Sequence, residues 1–169
     1  MPSTNNVMSI RILGCGNELV GDDGFGIKAL DFFKKLPGVE CVDAGVGGID
    51  ILPQLLDIDK VIIIDAVQFG NEPGTIYRLT PEDLPSNPNV IISMHDLGLL
   101  DVLRLAEQLY PERLCRDITI YGVEIKSVLQ FDNTLTPAVQ KALWEVRRRV
   151  LEELGVENDG ETRPDTAEM

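Results

Sequence analysis

The sequence predicts an α/β fold, a three-layer sandwich in which a twisted, mostly parallel five-stranded sheet carries helices on both faces. Three observations predict it. Short apolar runs alternate with stretches of helical period, the order that builds βαβ units. The clearest run, Lys60 to Ile64, is β-branched and continuously apolar after its lysine, as suits a strand buried on both faces. Polar side chains of chemical interest also recur just after strands: Asp22 and Asp23, then Asp65, then His95. In parallel sheets those positions share one edge, the carboxyl edge where open α/β folds place their sites.

The elements follow in order. Met8 to Leu13 reads as the first strand, and a helix is expected from about Asp23 to Lys35, stopped by Pro37-Gly38. Val39 to Val42 reads as the second strand, ending at Asp43 and a glycine-rich loop, Gly45-Val46-Gly47-Gly48. Ile49, Leu52, Leu55 and Leu56 give a short helical face. After Lys60 to Ile64 come a turn at Gly70 to Gly74, an edge strand from Thr75 to Leu79, and a proline-rich loop from Pro81 to Asn89. Val90 to Ser93 reads as a brief strand before Met94-His95. Asp96 is placed to cap a helix running to about Leu109, with Leu99, Leu100, Leu103 and Ala106 on one face. Ile118 to Ile125 is the last strand. Thr136-Pro137 opens the final helix, Val139, Leu143, Val146, Val150 and Leu154 line it, and Gly155 ends it. One α/β domain over residues 1–156 is expected, with an acidic, disordered tail at 157–169.

Composition narrows the function. Fifteen Lys and Arg against 28 Asp and Glu give a net charge of −13, which repels nucleic-acid backbone and anionic membrane alike. No apolar run approaches the roughly 20 residues that span a bilayer, and no secretory leader is visible, so a cytoplasmic protein is expected. Three cysteines without a C-x-x-C pair suit a reducing compartment. Cys41 is expected in the core. Cys15 sits in the loop after the first strand, but no His or Lys neighbours it to lower its pKa. Arg147-Arg148-Arg149 reads as a solvated helix face.

The loop itself, Gly14 to Gly26, admits two chemistries. Gly14-x-Gly16 after a strand, with Asp43 ending the next strand, is the start of a dinucleotide-binding pattern. The pattern then fails, because the third glycine falls at position 21 and two carboxylates occupy the place of the pyrophosphate. The other chemistry is a carboxylate site. One of the two acids, Asp22 above all, is expected to cap the helix. Asp65, directly after five strand residues, is poorly solvated unless it faces a site or caps a turn. His95, the one histidine, completes an imidazole and two carboxylates, a set suited to a divalent transition metal with open positions. Gly45, Gly47 and Gly48 make either a tight turn or a groove that a peptide backbone can approach closely.

These residues carry a specific resemblance. Gly14-Cys15-Gly16-Asn17-Glu18-Leu19-Val20-Gly21-Asp22-Asp23-Gly24-Phe25-Gly26 resembles the G-x-G-N-x-L-x-x-D-[DE]-G-x-G signature of the [NiFe]-hydrogenase maturation endopeptidases. Asp43-Ala44-Gly45-Val46-Gly47-Gly48, Ile64-Asp65-Ala66, Met94-His95-Asp96-Leu97-Gly98-Leu99 and Tyr121-Gly122-Val123-Glu124 resemble further segments of that family, in order, over roughly residues 8–155. The resemblance implies a protease that removes the C-terminal extension of a hydrogenase large-subunit precursor after nickel insertion. It implies nickel carried by that precursor, with Cd or Zn as stand-ins, bound by Asp23, Asp65 and His95. Two positions depart from the family pattern: Asp23 stands where many members have Glu, and Ala44 where Gly is usual. Two other functions remain open: a dinucleotide- or small-ligand-binding domain using Gly14, Gly16 and Asp43, and a nickel-binding assembly chaperone that does not cut.

Overall fold

Five strands form one sheet in the order β2-β1-β3-β5-β4. The structure, a computed structural model, describes residues 7–46, 48–84, 98–126 and 134–157. Strands β1 (Ile10–Cys15), β2 (Val39–Gly45), β3 (Lys60–Val67) and β5 (Ile118–Glu124) run parallel, and β4 (Ile76–Leu79) pairs antiparallel on the outer side of β5. The chain leaves β1 toward β2, then crosses back to place β3 on the other side of β1. The reversal of winding therefore falls between β1 and β3, the topological switch point where such sheets open a crevice.

The apolar pattern explains the layers. All eight residues of β3 are buried, and successive side chains alternate between two cores. Val61, Ile63 and Val67 join Leu13, Leu55, Val102 and Ile120 on one face. That face is covered by α2 (Leu99–Leu109) and a 3₁₀ segment, Gly48–Leu55. Ile62, Ile64 and Ala66 join Ile12, Phe25, Phe33 and Tyr121 on the other, under α1 (Phe25–Ala29) and α3 (Pro137–Leu154).

Several boundaries differ from the sequence reading. The first helix is short: 3₁₀ turns at Gly21–Gly24 and Leu30–Phe32 flank the five residues of α1. Strand β3 runs on to Val67 because β5 continues to pair with it, Asp65 opposite Gly122 and Val67 opposite Glu124. In the 3₁₀ segment, Ile51 is buried and Ile49 is half in solvent, reversing the expectation for Ile49. Arg147 is also a correction. Only Arg148 and Arg149 are solvated; Arg147 is 4% exposed, with its guanidinium over the rings of Phe32 and Trp144. Cys41 is half-buried rather than fully in the core. Thr136 and Pro137 open α3 and Gly155, in the left-handed conformation, closes it, as expected. The expected strand at Val90–Ser93, the cap at Asp96 and the tail beyond residue 157 lie outside the described residues.

Candidate active site at the sheet switch point

Asp23 and Asp65 are both buried at the carboxyl edge of adjacent strands, 4% and 2% exposed. Asp65 lies within β3 on the side of Val61 and Ile63, and its Oδ1 accepts the N–H of Ala66 at 2.8 Å. Burial, and secondarily the charge of Asp23, push the Asp65 carboxyl well above the usual carboxylate range. Two buried carboxylates that repel each other are poised to accept a cation or hold a proton. The Cys15 thiol, ending β1, shares this environment. Burial first, then Asp65, Asp43 and Asp23, raise its pKa well above the ordinary value, which disfavours the nucleophilic thiolate.

Backbone packing positions the pair. Gly26 carries no Cβ because one would lie 2.2 Å from the carbonyl oxygen of Ile64 and 2.4 Å from that of Cys15. Helix α1 thus abuts the ends of β1 and β3 directly, and Asp23, three residues before Gly26, is held against the sheet edge. At Gly16, with φ at +132°, a Cβ would collide with the carbonyl oxygen of Asp23. The Asn17 N–H donates to Asp23 Oδ2 at 3.1 Å, and the Gly16 N–H donates to the Gly45 carbonyl at 3.0 Å, tying the two glycine-rich loops together.

The same bonds decide against a phosphate cradle. The loop's N–H groups are turned inward: Asn17 to Asp23, Leu19 to Asn17 Oδ1, Gly16 to Gly45. Asp43, the ribose-binding candidate, spends Oδ1 on the Gly45 N–H at 2.8 Å. Asp22, expected to cap the helix that follows it, makes no cap there and instead tethers the residue that opens α3. Its two oxygens accept the Thr136 N–H at 2.7 Å and the Thr136 hydroxyl at 2.8 Å, at the start of α3.

Of the expected metal-binding set, Asp23 and Asp65 come together. His95 lies outside the described residues, as does Gly47 of the expected groove; Gly45 and Gly48 flank it after β2. Among the described residues no three His, Cys, Asp or Glu side chains converge closely enough to hold a metal ion by themselves. Glu124 was missed by sequence reasoning. It is fully buried at the end of β5 and accepts the N–H groups of Phe69 and Asn71 and the hydroxyl of Tyr77, fixing the turn that follows β3. The signal was its apolar strand context, the same one that singled out Asp65.

A mostly parallel sheet with a buried carboxylate pair at its switch point defines an α/β domain with a ligand crevice at the carboxyl edge. Comparison narrows this class to one family. Residues 27–153 match the model of the HycI hydrogenase maturation proteases. The chain is 34% identical to the hydrogenase 2 maturation protease of Escherichia coli, over 89% of this chain and 94% of that protein. It is 32% identical to the hydrogenase expression/formation protein HupD of Rhizobium leguminosarum bv. viciae, over 87% and 76%. A hydrogenase maturation protease relative from Methanocaldococcus jannaschii, itself described as putative, is 39% identical over 56% of this chain, a stretch spanning 65% of that relative. The hydrogenase-maturating endopeptidase HybD of E. coli superposes with a TM-score of 0.71 at 29% identity, covering 89% and 96% of the two chains. The chain belongs to the hydrogenase maturation protease family, whose members hydrolyse peptide bonds. Among the described residues no helix is long and apolar enough to cross a membrane.

Proposed function

We propose that this protease removes the C-terminal extension of a [NiFe]-hydrogenase large-subunit precursor once nickel has been inserted, with the nickel serving as the recognition element. The observation that carries the reading is the buried Asp23–Asp65 pair at the switch point, two hard oxygen donors whose mutual repulsion a cation relieves. Nickel held by the precursor's cysteines would complete its coordination on Asp23, Asp65 and His95. An imidazole and two carboxylates leave positions of a divalent ion open for thiolates from the precursor. A bound metal polarises a carbonyl or a water. The chain's own contribution is position: Asn17 orients Asp23, the Ala66 N–H orients Asp65, and the two loops joined at Gly16 and Gly45 flank the place where the peptide lies.

The test is a trimming assay on nickel-loaded and nickel-free precursor, read by mass spectrometry. Wild-type protein shortens only the nickel-loaded form, and Asp23→Ala, Asp65→Ala and His95→Ala leave it at full length. Trimming without nickel would refute the recognition role, and full activity in His95→Ala would refute the ligand set. An unshortened precursor bound by wild-type protein would favour an assembly chaperone.

A further inference from the structure

Strand β2 is an edge of the sheet. It pairs with β1 on one side, and among the described residues no strand lies on the other. Every second N–H and C=O along such an edge faces outward, a template for another extended chain. Beside its carboxyl half, between the end of β2 and the 3₁₀ segment Gly48–Leu55, lies an open cavity of about 360 Å³. Asp43, Val46, Asp50 and Gln54 are among the residues that line it. Its two ionisable linings are both carboxylates and both are exposed. Apolar surface borders it: Val46 and Ile49 are each 49% exposed. The floor is rigid. Ile51, Leu52 and Leu55 anchor the 3₁₀ segment in the core, and Arg11 donates to the Gln54 carbonyl at 2.8 Å while pairing with Glu40 of β2. The groove opens beside the chemistry, because Gly45 is bonded to Gly16 and the Asp43 charge reaches Cys15 together with those of Asp23 and Asp65.

We propose that an extended segment of the precursor polypeptide next to the scissile bond docks along the outer edge of β2 as an added strand, with a cationic side chain set between Asp43 and Asp50 and an apolar one against Val46 and Ile49. The inference deepens the proposed function and rests on it. Charge selects the occupant. An anionic segment is repelled by both carboxylates and by the net charge of −13, whereas a Lys or Arg is drawn in. Backbone pairing supplies affinity without sequence demand, and the two carboxylates supply the preference.

Two measurements test it. Asp50→Lys, a change on an exposed side chain, raises KM for nickel-loaded precursor about 10-fold with kcat within about 2-fold, the size of one interfacial charge pair. Precursor whose Lys and Arg next to the cut are changed to Glu recovers most of that loss with Asp50→Lys and loses affinity for wild type. Hydrogen exchange on wild-type protein, pulsed within seconds of adding nickel-loaded precursor and before trimming, shows protection of amides in residues 40–45. An unchanged KM in Asp50→Lys, absence of charge-reversal rescue, or unprotected β2 amides while wild type still trims overturns the groove and leaves the protease reading standing. Protected β2 amides with no trimming by wild type upholds the groove and overturns the protease reading.

Discussion

At the scale of single residues, burial decides which side chains do chemistry. Asp65 sits 2% exposed among apolar neighbours, and burial together with Asp23 raises its pKa. The sign of the linkage follows. A carboxyl whose folded pKa is raised binds its proton more tightly in the folded state, so stability falls as pH rises from the unfolded value of 3.8 through the folded one. Asp65→Asn removes the penalised charge and keeps an oxygen for the Ala66 N–H. It is therefore expected to raise Tm at pH 7 by at least about 2 °C while abolishing trimming, with the gain fading toward pH 4; calorimetry at both pH values checks it. That Asp65 is a buried acid was legible in the sequence, since it stands directly behind five strand residues. Arg147 shows the opposite failure. Read as one of three adjacent arginines it looked solvated, yet it lies four residues from both Leu143 and Leu151, in the buried stripe of α3. Period, not local composition, held the information.

At the scale of elements, the signature loop works by backbone proximity and by long-range tethering. Gly26 lets α1 touch the ends of β1 and β3; a methyl group there would push Asp23 away from Asp65. Gly26→Ala is expected to cost about 3 kcal/mol or more in chemical denaturation, because its collision partners are backbone oxygens that cannot rotate aside. Asp22 ties the same loop to α3. Asp22→Ala strips the Thr136 N–H and hydroxyl of their acceptor and is expected to cost about 1–3 kcal/mol, whereas Asp22→Asn, keeping one carbonyl oxygen, costs less. The sequence suggested a cap on the following helix, whereas the carboxylate is spent on Thr136 at the start of α3. The partners are 114 residues apart, and no local spacing encodes a contact between two loops. Element type was legible for β3, α2 and α3 because their periods are long and unbroken. It was less so for residues 21–32, where glycines and tight packing turn a helical pattern into 3₁₀ turns around a five-residue helix.

At the scale of the whole molecule, the two ends of the sheet divide the labour. The carboxyl edge holds carboxylates that repel, and the amino edge holds charges that attract. There Lys60, at the start of β3, pairs with Asp117 at 3.1 Å and with Glu153 of α3 at 3.2 Å; Arg78 of β4 and the Tyr121 hydroxyl also reach Glu153, at 2.8 and 2.9 Å. Burial alone would raise the Glu153 pKa, but the bonds from Tyr121 and Arg78 and the pairing with Lys60 outweigh it and hold the pKa below the usual carboxylate value. Desolvation next to the glutamate also pushes the Tyr121 phenol up to about 12. A carboxylate with a lowered folded pKa contributes stability that is present above its unfolded value of 4.5 and is lost as pH falls through the folded one. Glu153→Gln leaves the largely buried Lys60 with Asp117 as its remaining anion, and is expected to cost about 1–3 kcal/mol at pH 7, a drop in Tm of roughly 2–10 °C. The gap to wild type narrows as pH falls below 4.5 and closes once Glu153 itself takes up a proton. Since this cluster sits at the far end of the strands from Asp23 and Asp65, trimming by the folded variant proceeds at the wild-type rate. A gap in Tm that does not narrow as pH falls below 4.5 would refute the ion-pair account, and a kcat that falls with stability intact would show that the two edges are coupled rather than separate.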